Sequence, residues 1–96
     1  MAKLAERIKK DLMKEIDVFK DDLSEVVEKC VRERGACVVD LYSDTFRTGW
    51  DSRSMSDVRV PKQYTFYIEN EYSFQGFKID KLYTPMGSLH GLRIHL

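Results

Sequence analysis

The sequence predicts an α+β fold over a single domain, residues 1–96, with one long N-terminal helix packed on an antiparallel sheet of four to five strands. Three observations predict it. An apolar stripe of helical period runs through residues 3–34, short alternating apolar runs follow a glycine at position 35, and residues 64–83 alternate with a period of two. Helix followed by mostly adjacent strands is the pattern of an antiparallel sheet with a helix across one face.

The stripe consists of Leu4, Ile8, Leu12, Ile16, Phe19, Leu23, Val26, Val27 and Cys30, spaced by threes and fours. At 100° per residue it spans roughly 140° and holds its phase throughout. Good helix formers fill the remaining positions, and Gly35 stands where a helix commonly stops. A continuous helix would be roughly 45 Å long, against roughly 17–20 Å for an ordinary strand, so part of it would overhang the sheet. The alternative is a break at Asp22, which with Glu25 reads as a capping box, Asp21 being a second cap. Leu12, Ile16, Phe19, Leu23, Val26 and Cys30 also keep a 4-3-4-3-4 spacing, shorter than a firm coiled coil requires. The overhanging half is therefore a candidate surface for a homodimer.

Cys37, Val39 and Leu41 share one face of a first strand over residues 36–42. Residues 43–57 read as a long polar loop that nonetheless holds Phe46, Trp50 and Met55. Val58, Arg59 and Val60 read as a short strand ended by Pro61. Residues 64–83 then read as a hairpin about a Gln75-Gly76 turn, with Phe74 opposite Phe77, Tyr72 opposite Ile79 and Ile68 opposite Tyr83 on a buried face. In that register Asn70 faces Lys81, and Glu71 faces Asp80 as an unfavourable like-charge pair. Residues 92–96 alternate as a last strand.

Charge is balanced at 16 basic and 16 acidic residues, and the balance holds by segment, with nine of each sign in residues 1–34, four in 35–63 and three in 64–96. A dedicated nucleic-acid binder carries a basic excess, which is missing here. Zero net charge also removes the repulsion that keeps copies apart. No apolar run of signal-peptide or membrane-span length occurs, so a cytoplasmic protein without a membrane role is expected. Two cysteines in that setting are expected as reduced thiols, small buried hydrophobes at Cys30 and Cys37.

Residues of chemical interest are few. His90 and His95 lie five apart, on opposite faces of an extended strand. The cysteines lack the close spacing of a zinc site, and Asp40, Asp44, Asp51 and Asp57 follow no ligand rule. Phosphate-binding loops, nucleophile elbows and zinc-protease helices are all missing. No enzyme, no cofactor and no metal are expected. Residues 46–53 are the best functional candidate, because Trp and Arg dominate binding hot spots. Phe46, Arg47, Trp50, Arg53 and Arg59 form the expected partner-binding set. The competing reading has Phe46 and Trp50 folding back to plug the core. The expected function is a small binding or regulatory protein that acts on a protein partner, as an inhibitor among other roles. The alternative is a nucleic-acid-binding protein using Arg47, Arg53, Arg59 and Lys62 around the aromatic rings.

Overall fold

The computed structural model describes residues 2–96 and is α+β, with its elements in the order α1 (Ala2–Ile16), α2 (Lys20–Arg34), β1 (Ala36–Asp40), β2 (Tyr42–Asp51), β3 (Ser56–Pro61), a 3₁₀ turn (Lys62–Tyr64), α3 (Thr65–Phe74), β4 (Lys78–Tyr83) and β5 (Leu89–His95). The expected single helix is two helices. The chain breaks at residues 17–19, where the N–H groups of Val18 and Phe19 donate to the carbonyls of Glu15 and Ile16, at 3.2 and 3.0 Å. The break lies before the anticipated cap. Asp21 and Asp22 sit instead in the first turn of α2, where carboxylates favour the positive helix end. A three-residue tight turn advances the stripe almost as a helical turn does, so Ile16, Phe19 and Leu23 all remain buried and the periodicity does not register it.

Five strands form one sheet in the order β2-β3-β1-β5-β4. It is mixed, where a purely antiparallel sheet was expected: β1 runs parallel to β3, and the other neighbours are antiparallel. The register places Val39 beside Val58 and Leu92, and Cys37 beside Ile94. These residues face the helices, joining Ile16, Phe19, Leu23, Val27 and Val31 in one core. Residues one step along, among them Val38, Asp40, Arg59 and Arg93, turn to the opposite face, which the helices leave uncovered.

The hairpin expected over residues 64–83 is replaced by helix α3 followed by strand β4. Tyr64, Ile68 and Tyr72 are buried, whereas Asn70 is exposed. Their spacing of four satisfies a period of two as well as a helix, so the aromatic alternation was a helical face counted at half its step. Gly76 is no hairpin turn. At φ 96° it ends α3 in a left-handed conformation, with Gly76 N–H on the Ser73 carbonyl (3.1 Å) and Phe77 N–H on that of Tyr72 (2.9 Å). Those two bonds are a Schellman motif, and the hydrophobic contact that accompanies it is the Tyr72–Phe77 ring pair at 6.0 Å. The side chain of Phe74 lies outside the described part. Lys81 meets Glu69 of α3 at 3.6 Å instead of Asn70.

Candidate binding surface

Residues 43–57 fold as a hairpin, not a loop. β2 is ten residues long and lies at a sheet edge, so its burial alternates only weakly and its sequence has no apolar period. Its pairing with β3 matches Arg47 with Arg59 and Thr48 with Val58, then shifts before Asp51 and Ser56. Gly49 absorbs that irregularity at φ 104°, a backbone region that side chains disfavour.

The two aromatic rings of the hairpin separate. Phe46 stacks on Phe19 with ring centroids 4.7 Å apart and belongs to the core margin. Trp50 is 55% exposed. The Arg34 guanidinium, from the last turn of α2, lies 5.5 Å from its ring centroid, a cation–π contact. Arg59 is tied into the hairpin, donating to the Gly49 carbonyl at 3.3 Å and pairing with Asp51 at 3.5 Å. Asp51 also accepts the Arg53 N–H at 2.9 Å, and that bond, with Arg59 nearby, holds its carboxyl below the usual range. Arg47 and Arg53 are exposed and, among the described residues, form no ion pair. Of the five expected residues, Trp50, Arg47 and Arg53 are presented outward, while Phe46 and Arg59 build the scaffold that presents them.

A groove of about 400 Å³ opens beside Trp50, between α2 and the hairpin, with Val26, Cys30, Arg34 and Asp57 among its walls. Sequence reasoning missed the cluster at its base. Asp57 is buried, and its Oδ1 accepts from Arg34 Nη2 while its Oδ2 accepts from the Val38 N–H at 3.0 Å. The Asp57 bond pushes the Arg34 guanidinium further up from its ordinary value. Cys30 and Cys37, both buried, complete the cluster, with donor atoms of the three residues all within 4.8 Å of one another. Burial, and then the nearness of Cys30 and Asp57, pushes the Cys37 thiol well above the ordinary thiol range. Only contact across α2, β1 and β3 could reveal this set, and linear spacing carries no trace of it.

The other candidates stand apart. Asp40 accepts the Tyr42 N–H at 3.1 Å. His95 bonds Asp80 at 3.0 Å on the uncovered sheet face, and His90 lies 6.4 Å from the Tyr42 ring. Helix α1 leaves Leu4 and Ile8 exposed at 61% and 50%, and Met13 at 40%. Among the described residues, no helix is long and apolar enough to cross a membrane. Comparison of the chain with protein-family models, curated proteins and solved structures returns no match.

Proposed function

We propose that this protein is a non-enzymatic binding protein that acts by docking a protein partner on the β2–β3 hairpin, with Trp50 as the anchor and the exposed Arg47 and Arg53 as further contacts on the same hairpin. The supporting observation is the state of Trp50. Its large ring is more than half exposed, with the Arg34 guanidinium 5.5 Å from its centroid. A rigid aromatic loses little conformational freedom on binding, which is why such residues serve as anchors. The edge of β2 beside it has backbone groups without a neighbouring strand, which a partner segment in extended conformation can pair with.

The exposed stripe of α1 supports a second element of this reading, self-association through the N-terminal helix. An isolated helix of 15 residues is marginal in water, so a partner for Leu4 and Ile8 would add to its stability. A regulatory role, inhibition of the partner included, and a cytoplasmic setting complete the proposal.

Trp50→Ala tests it. The substitution is expected to leave the melting temperature within a few degrees while removing specific partners from the material that co-purifies with the wild-type protein in its native host. A drop of many degrees would make Trp50 a structural residue and end the proposal. The nucleic-acid reading has one observation in its favour, two exposed arginines, Arg47 and Arg53, that form no ion pair among the described residues and share a hairpin with an exposed ring. It predicts retention on DNA or heparin at low salt that falls steeply as salt rises, and lack of retention at ~50 mM salt would remove it.

A further inference from the structure

We infer that Cys30, Cys37 and Asp57 form a binding site for one thiophilic divalent cation of the zinc class. Three separate elements deliver the donors: the last turns of α2 supply Cys30, β1 supplies Cys37 and the start of β3 supplies Asp57. Two sulfurs and a carboxylate oxygen all within 4.8 Å are close to what a tetrahedral ion needs. Zn–S bonds of about 2.3 Å and Zn–O bonds of about 2.0–2.2 Å place neighbouring ligand atoms roughly 3.5–3.8 Å apart. Small side-chain rotations of the order of 1 Å close that difference.

Charge and surroundings agree. Two thiolates and a carboxylate carry three negative charges, which a divalent cation and the adjacent Arg34 guanidinium neutralise together. Asp57 is already oriented by Arg34 and by the Val38 N–H, the outer bonds that hold a ligating carboxylate in place. Each of its oxygens keeps a further lone pair for the ion. Cys30 and Asp57 both line the groove beside Trp50, which gives the ion an entry path and leaves its fourth position to water. Sulfur donors exclude magnesium and calcium and favour zinc and its relatives. Each thiol releases its proton to solvent as its sulfur binds the ion, so two protons leave per ion and no oxidant is involved.

The experiment is a titration of the fully reduced protein with Co²⁺, followed by displacement with Zn²⁺. The expected result is a thiolate-to-cobalt charge-transfer absorption that saturates at one equivalent, vanishes on adding Zn²⁺ and is accompanied by release of two protons. Cys30→Ser and Cys37→Ala should each abolish the absorption, and Asp57→Asn should weaken binding by at least about tenfold. Lack of the absorption in the wild-type protein overturns the inference whatever the variants do. So does an absorption that survives in either cysteine variant, or a reduced protein that forms a Cys30–Cys37 disulfide on mild oxidation yet takes up no Co²⁺.

Discussion

The Arg34–Asp57 pair joins an exposed cation to a buried anion, so its two halves should cost different amounts to remove. The Asp57 side chain is 6% exposed and that of Arg34 49%. Changing Asp57 to Asn keeps the shape and an acceptor for the Val38 N–H, and frees a guanidinium that water already half covers. The loss is one charge-assisted hydrogen bond, discounted for that solvation to about 1–1.5 kcal/mol. Arg34→Met keeps the aliphatic stem but strands a carboxylate out of water with a single N–H partner. Leaving a buried charge unpaired costs about 3 kcal/mol, and loss of the contact with Trp50 adds about 0.5 kcal/mol. Urea denaturation of both variants and of the double variant measures the two costs and their coupling. The expected order is Arg34→Met worse than Asp57→Asn by about 2 kcal/mol, with the double variant recovering part of the Arg34→Met loss. Equal costs below about 0.5 kcal/mol would mean that the pair behaves as a surface ion pair, and the burial argument would fail.

The register of α3 makes Ile68→Ala a core truncation costing about 3 kcal/mol, while Asn70→Ala at the exposed position should change stability by less than about 0.5 kcal/mol, both read by chemical denaturation. Two similar costs would restore the hairpin. Gly76→Ala meets no atom within 4 Å, so its expected cost of about 1 kcal/mol comes from the left-handed backbone alone; a larger cost would point to a clash. Burial pushes the Tyr72 phenol up to about 12, against about 10 in the unfolded chain. Its neutral form is therefore favoured by folding, a contribution of about 2–3 kcal/mol that is complete below about pH 10 and lost as pH rises toward about 12. Stability measured from pH 9 to 12 should fall more steeply in the wild type than in Tyr72→Phe.

Much of this fold is legible in the sequence, for identifiable physical reasons. The stripe of α2, the left-handed stop at Gly35 and the alternation of β1 and β5 all belong to elements with one buried side, and burial is what writes a period into a chain. β2 is an edge strand of Ser, Asp, Thr and Arg with little to bury, so it resembles a loop. Tyr64, Ile68 and Tyr72 obey two periods at once, and the tie goes to the helix because Gly76 completes its C-terminal bonds. The parallel pairing of β1 with β3 depends on strand order, which local pattern does not encode. Among the expected site residues, Trp50 and Arg47 reach the surface because they lie on a weakly buried edge strand, and Arg53 because it lies in the turn that follows it. Arg34, Cys30, Cys37 and Asp57 come from three elements and meet only in space.

The strand order has a consequence for how the molecule assembles. β1, at the centre of the sheet, finds one neighbour in β3 and the other in β5, whose His95 pairs with Ala36. Neither neighbour is adjacent to it in the chain. The β2–β3 hairpin can close on its own, but it must then slot back against β1 in parallel, and β1 keeps an open edge until β5 arrives. Closing so long a loop precedes any reward from its contacts, which slows folding relative to a chain whose contacts are all local. While that edge is open, Cys37 and Val39 lie on a bare central strand, where β5 competes with any other extended chain that reaches it first.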